Sequence, residues 1–96
     1  MNLLDTVTRH RDAVQRIVAA HGAANPRIFG SVLHGTAWPD SDLDLLVDPT
    51  KKITLLALDR MQRELEALLQ VSVDLHTPGS LSPSFRHRVL AEARPV

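Results

Sequence analysis

The residues of this chain best suited to chemistry lie between Phe29 and Asp48, where Gly30-Ser31 is followed, after ten intervening residues, by Asp42-Leu43-Asp44 and an apolar run. Gly30 permits a tight turn and close backbone approach, and Ser31 offers a hydroxyl and an N–H. A short helix after the pair points its N-terminus at any anion in front of it, and phosphate fits such a turn. Two carboxylates at i and i+2 of a strand face the same way about 6.5 Å apart, close enough to share or bridge hard cations. Asp74 lies on the outward face of a later strand that a crossover can set beside the first, so three acidic groups would converge. Unpaired in a partly desolvated cleft they would repel one another, so either magnesium occupies the site or the three do not converge. Two divalent ions can activate an attacking oxygen and stabilise a phosphate leaving group, as phosphoryl and nucleotidyl transfer require.

The elements that must position these groups follow from periodicity. Leu3, Leu4, Val7, Val14, Ile17 and Val18 recur at helical spacing, which predicts one helix from Leu3 to about His21 with His10 on its apolar stripe. Gly22 is a helix stop and Ala23 to Pro26 a connector. Arg27-Ile28-Phe29, between a Pro and the Gly-Ser turn, reads as a short buried strand. Gly30 to Ser41 is turn and short helix, broken by Gly35, Pro39 and the Asp40-Ser41-Asp42 cluster. Leu43 to Val47 is a strand with Leu43, Leu45 and Val47 on one face and Asp42, Asp44, Leu46 and Asp48 on the other.

Ile53 to Leu69 is amphipathic, with Leu55, Leu58, Met61, Leu65, Leu68 and Leu69 as its buried stripe. Val71 to Leu75 alternates as a strand whose opposite face carries Ser72, Asp74 and His76. Thr77 to Leu81 is a loop, and Ser82-Pro83 has the form of an N-cap before Pro at the first helical position of a last helix reaching about Ala93. The strand-helix-strand unit from Leu43 to Leu75 makes its two strands parallel, and the short link between the first two strands makes them antiparallel. The fold class is therefore α/β (α+β), a small mixed sheet of about three strands flanked by about four helices.

Ninety-six residues suit a single domain over 1–96 with a thin core, so a large neighbouring surface has to come from another chain. Eleven basic residues balance eleven acidic ones, so no global field draws the chain to nucleic acid or to an anionic membrane. The absence of cysteine removes disulfides and thiolate chemistry and suits a reducing cytoplasm. The N-terminus has no continuous apolar run, which reads as neither signal peptide nor membrane span.

Gly30-Ser31, the ten-residue interval and Asp42-Leu43-Asp44 together resemble the signature of the DNA polymerase beta type nucleotidyltransferase superfamily. From Arg27 to Val96 the chain resembles more closely the minimal nucleotidyltransferase (MNT) domains, whose partners are HEPN proteins in toxin–antitoxin pairs. FGS, PDSDLDLLVD, VDLHTPGSLSP and the closing helix carry that likeness. It implies a polymerase-beta-like core, Gly30 and Ser31 as the triphosphate-binding turn for ATP, and Asp42 and Asp44 as ligands of Mg2+. It implies Asp74 as the third carboxylate on the catalytic metal and as a general base. It also implies an antitoxin that transfers AMP from ATP to a hydroxyl, often a tyrosine, of the HEPN toxin. The chain departs from the resemblance where many such domains read GSRARG, since Val32 and His34 stand in place of two arginines.

That departure motivates a second possibility, an antitoxin that neutralises its toxin by complex formation alone. Transfer to a small molecule such as an aminoglycoside is weaker, because it needs an acceptor-binding domain. Among the other residues, Asp40 and Asp48 read as cap and turn residues, and His34 and His76 as hydrogen-bonded or exposed histidines near the cleft. Arg86, His87 and Arg88 read as a solvated basic patch. Trp38 either packs locally or anchors a partner.

Overall fold

The structure, a computed structural model, describes residues 3–35 and 42–96. Trp38, Pro39, Asp40 and Ser41 lie outside the described residues. Four strands, β1 (Ala23–Phe29), β2 (Leu43–Pro49), β3 (Val73–His76) and β4 (Arg94–Pro95), form one mixed sheet in the order β3-β2-β1-β4. As expected, β1 and β2 are antiparallel and β2 and β3 are parallel, the latter joined through helix α4 (Leu55–Leu69). Helices α1 (Leu3–Arg9), α2 (Arg11–Ala20), α3 (Ser31–His34) and α5 (Pro83–Glu92) complete the layers, with a single 3-10 turn over Pro78–Ser80. Among the described residues no helix is long and apolar enough to cross a membrane.

Strand β2 divides the core between the two faces of the sheet. Leu43, Leu45 and Val47 enter the larger cluster with Val7, Val14 and Val18 of α1 and α2 and Met61 and Leu65 of α4. Leu46, which alternation turns to the opposite face, is fully buried in a smaller cluster with Leu81 and Val89. Asp44 and Asp48 flank Leu46 on that second face, so the carboxylates share a side of the sheet with α5 and avoid the main core.

Several elements differ from expectation. The single helix predicted from Leu3 to His21 is two helices divided at His10, whose φ and ψ are -98° and 18°. The positions one helical turn beyond Val7 are His10 and Arg11, so no apolar contact holds that turn to the core. Val7 and Val14, on either side of the break, are both at 0% exposure. His10, expected on the stripe, is exposed. Leu55 is also outside the core, at 86% exposure. The side chain of Thr54 accepts a hydrogen bond from Ala57 N at 3.1 Å and caps α4 there, which makes Leu55 the first helical residue. The buried rows then run through Leu58, Met61, Leu65 and Leu69.

The predicted connector Ala23–Pro26 is the first half of β1. Pairing passes from Ala24↔Asp48 to Arg27↔Leu46, so Asn25 and Pro26 stand opposite Val47 alone, with Asn25 at φ 56°. This is a β-bulge, where a proline without an N–H is tolerated. The fourth strand, absent from the expected three, pairs Arg94 with Ile28 and Pro95 with Arg27. Val96 N then donates to Pro26 O at 3.0 Å.

Asp48, expected as a turn residue, lies within β2 and anchors the bulge. Arg27 Nη1 and Nη2 donate to its two carboxylate oxygens at 2.9 Å each, and Asn25 Nδ2 donates at 3.1 Å. The Arg27 hydrogen bonds, helped by Asn25 and by the guanidinium charge, hold the Asp48 carboxyl below its ordinary value of 3.8 despite some desolvation. A depressed folded value means that this contribution is present above the ordinary Asp range and is lost as pH falls through the folded value. Arg27 is nearly buried and Asp48 only partly so, which tempers the ion pair by solvent screening. Asp48→Asn is therefore expected to cost about 1–2 kcal/mol at pH 7. Urea midpoints of the two proteins should converge as the pH is lowered below the ordinary Asp range.

Candidate active site

Parallel pairing of β2 with β3 sets Asp44 directly beside Asp74, with Leu46 opposite His76. On the other side of β2, Phe29 is the partner of Asp44. Phe29, Asp44 and Asp74 thus form a row across the sheet, with His76 one step along. Asp44, Asp74 and His76 each present a donor atom, and these atoms all lie within 4.8 Å of one another. His76 Nε2 is 3.0 Å from Asp74 Oδ2. The His76 ring meets Phe29 edge to face, with centroids 5.4 Å apart and planes at 63°.

Gly30 packs against the same carboxylate. Its φ of 78° and ψ of -153° lie in a region essentially restricted to glycine. A Cβ at this position would collide with Asp44 Oδ2 and stand 3.1 Å from Asp44 Cγ. The two halves of the sequence motif, ten residues apart in the chain between Ser31 and Asp42, are therefore in van der Waals contact through Gly30 and Asp44. Ser31 opens α3 and is half-buried.

Burial, then the charge of Asp74, push the Asp44 carboxyl above its ordinary value of 3.8; Asp42 adds to the rise and His76 opposes it. Asp42 stands exposed just ahead of β2. It acts on Asp44 through its charge but is outside the cluster of Asp44, Asp74 and His76. A half-buried carboxylate facing a second one, with an imidazole beside them, is a donor set that a divalent cation fits, because the cation offsets the repulsion that disfavours two negative charges there.

The departures from the arginine-containing turn also have structural roles. Val32 is buried in the main core, and His34 Nε2 lies 3.2 Å from Glu92 Oε2 at the end of α5. Arg86, expected on a solvated patch, is half-buried and donates from Nη2 to Leu81 O at 2.9 Å, whereas His87 and Arg88 are exposed. His76 was expected to be an ordinary hydrogen-bonded or exposed histidine. Its place in the carboxylate cluster was signalled by its i+2 spacing from Asp74, and the register of β3 on β2 supplies the rest.

Comparison with known proteins bears on the family and the fold. The nucleotidyltransferase domain family matches residues 7–96. Protein adenylyltransferase MntA of Thermococcus cleftensis is 35% identical over 89 residues, covering 84% of this chain and 90% of its own length. A solved structure described as a minimal nucleotidyltransferase has a TM-score of 0.86 and 46% identity, covering 100% of this chain and 97% of that one. A chain from a complex of tri-AMPylated Shewanella oneidensis HEPN toxin with MNT antitoxin has a TM-score of 0.68 over 92% of this chain and 69% of its own. At 17% identity that last likeness is one of fold.

Proposed function

This chain belongs to the nucleotidyltransferase domain family, and from that premise we propose that it is a magnesium-dependent antitoxin that transfers AMP from ATP to a tyrosine hydroxyl of a partner HEPN toxin. The observation that carries the proposal is the contact of the Gly30 turn with Asp44, itself the cross-strand neighbour of Asp74. A turn suited to phosphate would thereby act beside a pair of carboxylates. The name of the Thermococcus cleftensis relative supports adenylyl transfer, and the HEPN partner is the one found with a chain of the same fold.

In the proposed reaction the acceptor oxygen attacks the α-phosphorus of ATP. The new O–P bond joins AMP to the toxin, the bond to pyrophosphate breaks, and the acceptor proton leaves to a base. Asp42, Asp44 and Asp74 would hold magnesium, whose chemistry here is to lower the acceptor oxygen's proton affinity and to neutralise charge on the leaving pyrophosphate. Gly30, lacking a side chain, leaves the backbone open to the triphosphate, and Ser31 contributes its N–H and hydroxyl. Asp74, more exposed than Asp44, would take the acceptor proton.

Incubating the protein with labelled ATP, magnesium and the partner toxin should add one or more AMP units to the toxin's intact mass. Absence of any mass shift, with both proteins folded and nucleotide bound, would sink the catalytic proposal. Neutralisation by complex formation alone is the second possibility, favoured by the burial of Val32 and the engagement of His34 with Glu92. An Asp42→Asn, Asp44→Asn protein that still neutralises undiminished would favour it. Loss of neutralisation with the complex intact would favour catalysis.

A further inference from the structure

We propose that His76 is itself a ligand of the divalent cation at this site and makes the site prefer Mn2+ to Mg2+. The inference rests on the nucleotidyl-transfer function proposed above and adds a residue and a metal preference to it.

The separation of His76 Nε2 from Asp74 Oδ2 is 3.0 Å. Two neighbouring ligands of an octahedral ion with bonds of about 2.1 Å stand about 3.0 Å apart. The pair is therefore already spaced as adjacent donors, and Asp44 completes a group whose donor atoms fall within 4.8 Å. The imidazole is also held in place. Its residue is in β3 opposite Leu46, and the edge-to-face contact with Phe29 fixes the ring plane on the carboxylate side of the sheet.

Donor chemistry then sets the preference. Mg2+ is a hard ion that favours oxygen and gives up water reluctantly, so an imidazole adds little to its binding. Imidazole suits first-row transition metals, while carboxylate, phosphate and water oxygens suit Mn2+ as well as Mg2+. Compared with Mg2+, Mn2+ takes the carboxylate and phosphate oxygens equally well and, as a transition-metal ion, binds an imidazole nitrogen more readily, still in octahedral geometry. An imidazole also adds a ligand without adding negative charge next to a triphosphate, which a further carboxylate would do.

The test adds Mn2+ in less than stoichiometric amount to the concentrated intact protein and records pulsed EPR. The expected spectrum shows modulation from a directly bound imidazole nitrogen, a signature that needs no variant. In His76→Phe, which keeps an aromatic ring against Phe29, the modulation should vanish. Mn2+ affinity should fall by about 10–100-fold, with Mg2+ affinity unchanged. Bound Mn2+ without nitrogen coupling, or coupling that persists in His76→Phe, overturns the ligand role of His76 and leaves the nucleotidyl-transfer function standing. Mn2+ bound with unchanged affinity in Asp44→Asn and without nitrogen coupling overturns both, because the cation would then lie elsewhere.

Discussion

Asp44→Asn is expected to reduce AMP transfer by roughly a thousandfold or more while making the folded protein more stable. The loss follows from removing a proposed metal ligand, since the charge stabilisation at stake is several kcal/mol and each 1.4 kcal/mol is about tenfold in rate. The gain follows from the same carboxylate in the absence of metal. Burial, then Asp74, raise the folded pKa of Asp44 above 3.8. The folded state therefore holds this proton more tightly than the unfolded chain, and stability falls as pH rises through the interval from the ordinary Asp value up to the folded one. Above that interval the penalty is fully present, so at pH 7 the neutral amide removes it. Thermal melts in chelator at pH 7 should place Asp44→Asn above the wild type, and added Mg2+ should raise the melting temperature of the wild type alone. A variant both inactive and less stable in chelator would mean that Asp44 is held by attractive contacts rather than strained by repulsion.

Gly30→Ala should damage fold and function together. The alanine would have to adopt φ 78° and ψ -153°, and its methyl carbon would press on the Asp44 carboxylate. Backbone strain of about 1–3 kcal/mol and overpacking of similar size together give a loss of roughly 2–4 kcal/mol, since part of the clash can relax. Any relaxation moves either the Gly30 turn or the carboxylate, so the proposed transfer activity should fall even in the folded fraction. The two causes can be separated by a double-mutant cycle. With Asp44→Ala as background the collision is relieved and the strain is not, so Gly30→Ala should cost less there, as read from urea unfolding. Equal costs in both backgrounds would mean that the contact between Gly30 and Asp44 exerts no force.

The convergence of Asp44 and Asp74 was legible because two local rules point the same way. Alternation assigns each residue to a face, and a strand-helix-strand crossover makes the strands parallel. Gly30 was legible as a turn, but its pressure on Asp44 was not, because that contact exists only once β1 pairs with β2. The bulge was hidden for a sound reason. Pro26 argues against a strand unless the ladder is interrupted there, and the interruption depends on Asp48 binding Arg27 and Asn25. Strand β4, at Arg94–Pro95, is too short to carry any period. The helix break at His10 was missed because Val7 and Val14 fit a helical period whether or not the turn between them is held to the core. Leu55 fits the stripe by spacing, but the Thr54 cap makes it the first helical residue, where it stands clear of the core.

The register Asp44↔Asp74 makes the proposed chemistry a reporter of correct folding. Side chains alternate along a strand, so if β3 were displaced by one residue and turned to keep its hydrogen bonds, Asp74 and His76 would face the main core and Val73 would face water. Such a chain would retain much of its secondary structure yet lose the paired carboxylates, and burying an unpaired charge would oppose its closing at all. Misregistered molecules are thus silent, and specific activity regained after refolding counts those in which β3 has found its place.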